Sequence, residues 1–305
     1  MRENMQLVTK DGNLENTLAI CIALKLTKNK MKIFLVNYTP APKKAIASFF
    51  LNMGIGKDYT DLSQISEEEA KDALKEIFKS HLDAPLEAVN FQFFWQDIPL
   101  FLRSQLVRHR VGWSFAERSL RFYDANLRDP VNEFDWSAVP TIKDKELKNP
   151  IFGGKMAKEV VEDEMKRQMD LYGKLIEEGI DQQDSRVVIG SWYGTAMQTN
   201  CSYRALRAML ADRLSSQAHP FWQQAAHQIK KLITEVDKDL GEGLIDSCQL
   251  HGRCVWRSKY DRDCESCIKR GVQKPHEHIW DRDTTFGKNT QCNCGILKQN
   301  LLNGR

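Results

Sequence analysis

An apolar run, Ile98-Pro99-Leu100-Phe101-Leu102, leads into Gln105–Phe122, a stretch that carries Arg108, Arg110, Arg118 and Arg121 beside His109, Ser114, Glu117 and Ser119. Any fold for this chain must bury the first part against a core. It must leave the second at the edge of that core, because charged groups are not buried without partners. A merely solvated face would mix lysine with glutamate. Arginine instead offers a planar fork of donors suited to bidentate capture of phosphate and carboxylate. A charged surface turn is the competing reading, and the apolar anchor weighs against it.

The rest of the chain is compatible with an ordinary globular protein. Its 305 residues suffice for one large core or two smaller ones. A hydrophobic content of 42% and a charged content of 28% are typical of that class. The formal net charge of +3 is close to balance, so composition alone points to neither a nucleic acid nor a membrane. No apolar stretch approaches bilayer length. The first residues, MRENMQLVTKDGN, lack the apolar core of a secretory signal. The expectation is a cytoplasmic protein with no membrane partner.

Periodicity and punctuation divide the chain. A helix is expected over 14–26 and a short strand over 32–36. Pro40 and Pro42 open a further helix that Gly54 and Gly56 end. Ser66-Glu67-Glu68-Glu69 has the pattern of a capping box and predicts a helix to about His81. Residues 87–96 alternate like a half-buried strand, after which Pro99 starts the helix that delivers the arginines. Residues 124–154, rich in Pro, Asp and Asn, read as a long surface loop. Residues 155–178 form an amphipathic helix, 187–199 a strand, and 203–213 and 220–240 two more helices.

Arg108-His109-Arg110, eight residues and then Ser119 is similar to the RHR-x7-8-S motif of the flavin-dependent thymidylate synthases. Ala84-Pro85-Leu86-Glu87 resembles that family's T-P-x-E element. Gln105 matches its glutamine before the motif, and Glu117, Ser119 and Arg121 match its E-x-S-x-R tail. Arg186, Ser202-Tyr203-Arg204-Ala205-Leu206 and Arg213 fit its later arginine, N-x-R-x-L and L-R elements. The resemblance covers roughly residues 32–240. It implies an α+β fold with a mixed or antiparallel sheet and long helices.

The activity that it implies is reductive methylation of dUMP to dTMP, with methylenetetrahydrofolate, FAD and NADPH. By the same resemblance Glu87, Arg108, His109, Arg110 and Arg204 contact FAD, whereas Gln105, Glu117, Ser119, Arg121, Arg186 and Arg213 hold dUMP. Arg213, Ser119 and Glu117 are the catalytic candidates, with Arg213 stabilising charge that develops on the pyrimidine. The family's sites form between the subunits of a homotetramer. This chain departs from the pattern at Ala84, Ala88 and Ser202, where the family has threonine, histidine and asparagine. A related flavin-dependent pyrimidine nucleotide methylase or hydroxymethylase is therefore an alternative.

The cysteines concentrate near the carboxyl terminus. Cys248, Cys254, Cys264 and Cys267 supply four thiols, and His276, His278, Cys292 and Cys294 four further ligands. In a chain without export signals such a set reads as zinc-binding rather than as a disulfide framework. The expected organisation is an extension over 1–31, a catalytic domain over 32–245 and a Cys/His-rich zinc module over 246–305. With its basic bias that module suits a nucleic acid or a protein partner, so a zinc-containing nucleic-acid-binding protein is the alternative from another class.

Overall fold

A computed structural model describes residues 31–119, 125, 134–215 and 218–247, with the backbone of 278–280 and 290–292. The helix expected over 14–26 lies outside these residues. Strand β1 (Lys32–Tyr38) leads to helix α1 (Pro42–Phe50), which continues as a π-helical turn, Leu51–Ile55, and ends at left-handed Gly56. Helix α2 (Glu67–Ser80) starts as its capping box predicts: Ser66 Oγ accepts from the Glu69 amide at 3.2 Å and Glu69 Oε2 from the Ser66 amide at 3.1 Å.

Strand β2 (Asn90–Pro99) follows, then helix α3 (Leu100–Leu106), strand β3 (Trp113–Glu117) and helix α4 (Pro140–Lys143). Helix α5 (Ala157–Glu177), helix α6 (Gln182–Ser185) and strand β4 (Gly194–Ser202) lead into helices α7 (Tyr203–Arg213), α8 (Pro220–Val236) and α9 (Lys238–Glu242). Strands β5 (His278–Trp280) and β6 (Thr290–Cys292) form a separate antiparallel pair.

The main sheet has the order β1-β2-β4-β3, and each neighbouring pair is antiparallel. Of the two sheet types that the sequence left open, the antiparallel one is realised. Phe91, Phe93 and Trp95 alternate along β2 and are fully buried, each stabilising the fold by about 1.5–3 kcal/mol through burial. The Trp95 indole N–H is satisfied by Thr199 Oγ1 of β4 at 3.0 Å. Helix α8 covers this side with Phe221, Trp222, Ala225, Ala226, Ile229, Leu232 and Ile233, recurring at helical spacing in the same hydrophobic cluster. The other side carries Phe34, Phe94, Gln198, Ser114 and Ala116, which are half-buried or exposed.

Three boundaries differ from the sequence reading. Glu87 sits in a 3-10 turn, Ala84–Ala88, rather than on the strand, because Pro85 favours a turn start there. The stretch expected as a strand over 187–199 begins as a 3-10 turn, Arg186–Val188, and β4 starts only at Gly194. Trp113–Glu117, for which the sequence reading gave no strand, is the edge strand β3. Its Trp113 and Phe115 stack with ring centroids 5.9 Å apart and pack on the core.

Candidate functional site

Helix α3 is anchored as its apolar sequence requires, with Leu102 and Leu106 fully buried. It ends at once, so Arg108, His109 and Arg110 lie in the turn that follows rather than on the helix. Gly112 closes that turn with φ of 71°. Its carbonyl accepts from the Ser202 amide at 3.0 Å, and a Cβ at this position would sit 2.7 Å from Ala205 Cβ and 2.9 Å from Ser202 Oγ. The turn is therefore pressed onto the start of α7. Ser202 caps this helix, accepting from the Ala205 amide at 3.2 Å. The residue that departs from the family's asparagine thus retains a capping oxygen.

Helix α7 carries a candidate at each end. In its first turn Arg204 Nη1 donates to Glu87 Oε1 at 2.7 Å, and both side chains are about half exposed. At its last residue the Arg213 guanidinium lies over the Trp222 ring, 4.5 Å from its centroid. Arg213 Nε is buried and has no hydrogen-bond partner among the described residues. His109 stands within electrostatic reach of Arg213. Burial first, and that positive charge second, hold its imidazole below the ordinary value of 6.5, with Asp212 opposing. Arg108 and Arg110 are exposed and have no acidic partner among the described residues.

Two residues that sequence reasoning missed hold the others in place. Arg103, on α3, is ion-paired with Glu117 at the end of β3. Trp222, on α8, donates its indole N–H to Gln105 Oε1 at 2.8 Å. Arg103 lies just ahead of the motif, so proximity in sequence was a usable signal; nothing in the pattern of α8 singles out Trp222. Ser119 is exposed just past β3, and the Arg118 amide ahead of it bonds the Ala196 carbonyl at 2.8 Å. Arg186 is set apart. With Leu100, Gln183, Asp184, Val187 and Ile189 it lines a cavity of about 710 Å³ at the other end of α3.

Arg121, Cys248, Cys254, Cys264, Cys267, His276 and Cys294 lie outside the described residues, and of His278 and Cys292 only the backbone is described. That backbone pairs His278 directly with Cys292. Among the described residues there is no grouping of His, Cys, Asp and Glu suited to a metal ion. Nor is any helix there long and apolar enough to cross a membrane.

The sheet order and this site define an α+β protein in which an arginine-bearing turn packs on the start of α7 and Arg213 at the end of that helix is backed by buried Trp222. The chain belongs to the thymidylate synthase complementing protein family, whose model matches residues 34–237. It is 26% identical over 223 residues to the flavin-dependent thymidylate synthase of Sulfurisphaera tokodaii, a match spanning 72% of this chain and 80% of that protein. It is 25% identical over 250 residues to the enzyme of the same name from Pyrococcus furiosus, spanning 80% and 96%. The fold is shared with the UMP/dUMP methylase PolB of Streptomyces cacaoi bound with 5-Br dUMP, with a TM-score of 0.54 and 16% identity over 70% of this chain and 93% of that one. It is shared too with ThyX of Helicobacter pylori complexed with FAD and dUMP, with a TM-score of 0.52 and 16% identity over 70% and 100%.

Proposed function

We infer that this chain is a flavin-dependent thymidylate synthase, converting dUMP to dTMP with FAD as cofactor. Methylenetetrahydrofolate is the carbon donor and NADPH the reductant. The observation that carries the reading is the family match over 34–237 together with the RHR turn laid along α7. Gly112 of that turn packs on Ser202 and Ala205 at the start of α7, the helix whose first turn carries Arg204, and His109 lies within electrostatic reach of Arg213 at its end.

The residues fit the groups they would hold. Arg108 and Arg110, free of acidic partners among the described residues, suit a pyrophosphate, with His109, Arg204 and Glu87 completing the FAD set. Gln105, Glu117, Ser119, Arg121, Arg186 and Arg213 form the dUMP set. Bound reduced flavin supplies the hydride that completes the methyl group. Arg213, its guanidinium held over Trp222, donates to a pyrimidine oxygen as negative charge develops there. Arg103 holds Glu117 in one position, and the Ser119 hydroxyl binds or polarises the nucleotide.

A homotetramer with shared sites accounts for Arg186, which faces a cavity away from the RHR turn. The half-buried Phe34 and Phe94, stacked at 6.2 Å on the open side of the sheet, suit a contact between copies. We assign 1–31 to an extension, 32–245 to the catalytic domain and 246–305 to a zinc module. The zinc reading rests on the spacing of Cys248, Cys254, Cys264, Cys267, His276, His278, Cys292 and Cys294 along the chain.

Purified protein should be yellow, its flavin absorbance bleaching on addition of NADPH. Incubation with dUMP and the folate donor should yield a nucleotide with the mass of dTMP. A colourless protein that binds polynucleotide with a steep salt dependence would overturn the reading.

A further inference from the structure

Trp222 is fully buried, yet it makes two polar contacts, each with a residue of the nucleotide set. Its indole N–H is a donor and nothing else. The atom of Gln105 that receives it at 2.8 Å must therefore be the carboxamide oxygen, and the amide cannot turn over without stranding a buried N–H. What Gln105 has left to offer is its NH2 group. The same indole ring backs the Arg213 guanidinium at 4.5 Å and fixes its plane by cation–π attraction. That guanidinium carries N–H donors and no acceptor.

We propose that Trp222 is a positioning residue, locking Gln105 and Arg213 so that both present only donors to the nucleotide, Arg213 to a pyrimidine oxygen and Gln105 to either a pyrimidine carbonyl or a phosphoryl oxygen. The proposal rests on the reading of this site as a dUMP site. Trp222 lies outside the motif, and its N–H holds the Gln105 carboxamide one way round. Water cannot substitute for the indole, because the side chain has no solvent exposure.

The test uses the full-length flavoprotein and equilibrium binding of dUMP and of deoxyuridine, with steady-state kinetics beside it. Trp222→Phe keeps a ring under Arg213 and removes only the N–H. It should raise the dUMP Kd and KM by about tenfold, the scale of one hydrogen bond to a buried polar group, with kcat little changed. Trp222→Leu removes the ring as well and should lower kcat too; a merely structural role would move both variants alike.

Should the Trp222 variants fail to fold, Gln105→Glu and Gln105→Leu decide the matter with Trp222 intact. A carboxylate in place of the amide turns an acceptor toward the ligand, so Gln105→Glu should bind dUMP more weakly than Gln105→Leu. If that difference persists with deoxyuridine, the acceptor is a carbonyl; if it vanishes, the acceptor is a phosphoryl oxygen. Gln105→Glu binding dUMP as well as Gln105→Leu, or Trp222→Phe binding it like the unaltered chain, overturns the donor assignment. Failure of the unaltered flavoprotein to bind dUMP at all overturns the dUMP reading instead.

Discussion

Arg204 Nη1 reaches Glu87 Oε1 at 2.7 Å, tying the first turn of α7 to the turn that precedes β2. Both side chains are about half exposed, so the pair contributes on the order of 0–1 kcal/mol to folding. The pair holds the Arg204 guanidinium at the start of α7, the end of the helix on which Gly112 packs. Glu87→Gln should therefore leave the urea midpoint nearly unchanged while the protein loses flavin on gel filtration. Equal flavin content in the variant and the parent would separate Glu87 from the cofactor.

Gly112 is where the RHR turn touches α7. Its left-handed φ of 71° alone penalises a side chain by about 1–2 kcal/mol. A Cβ would also sit 2.7 Å from that of Ala205. Gly112→Ala should lower unfolding stability by more than that amount and displace the turn, so flavin binding falls as well. Unfolding curves and flavin retention check both effects together.

Helix α2, with its capping box, and the alternation of Phe91, Phe93 and Trp95 on β2 were legible in the sequence because local chemistry decides them. Strand β3 was not. Trp113 and Phe115 alternate with Ser114 and Ala116 over too few residues, and the flanking arginines hid the pattern. The order of the motif elements gave the family, which the match over 34–237 shows. What supports each member, Trp222 under Arg213 and Arg103 on Glu117, depends on contacts that helix packing and the β3 pairing create. Spacing along one chain carries no record of those.

The Cys/His-rich tail predicts a metal content. Purified protein should contain about one or two zinc ions per chain, for the thiolate and imidazole sets available. Removal with a chelator should free thiols among Cys248, Cys254, Cys264, Cys267, Cys292 and Cys294. Cys201 should stay unreactive until unfolding, because burial raises its thiol's pKa. No zinc, with six thiols titrating freely in the native protein, would remove the site.

His109 gives the fold a pH dependence of definite sign. Burial, then the charge of Arg213, lowers its folded value below the ordinary 6.5, so between the two values the unfolded chain binds more protons than the folded one. Stability from this group is complete above 6.5 and is lost as pH falls toward the folded value. His219 acts in the same direction. Burial lowers it, and its Nδ1 accepts from the Phe221 amide at 3.4 Å, a contact that protonation abolishes. The urea midpoint should drop between about pH 7 and pH 5.5, before most carboxylates titrate. His109→Gln should shrink that drop; an unchanged profile would place the loss elsewhere.

Arg213 should be the substitution that separates chemistry from folding most clearly. Its guanidinium rests on an already buried tryptophan, so Arg213→Ala forfeits about 0.5–2 kcal/mol of cation–π attraction and little else in stability. If its guanidinium, held against Trp222, stabilises charge on the pyrimidine as proposed, losing that preorganised donor should slow turnover by about 10²–10³. Arg213→Lys keeps the charge but loses the planar fork, and should recover stability better than rate. Single-turnover formation of dTMP, set against thermal melting of the same preparations, measures the two effects separately. If both variants turn over dUMP at the parent rate, charge stabilisation by Arg213 has no part in the reaction.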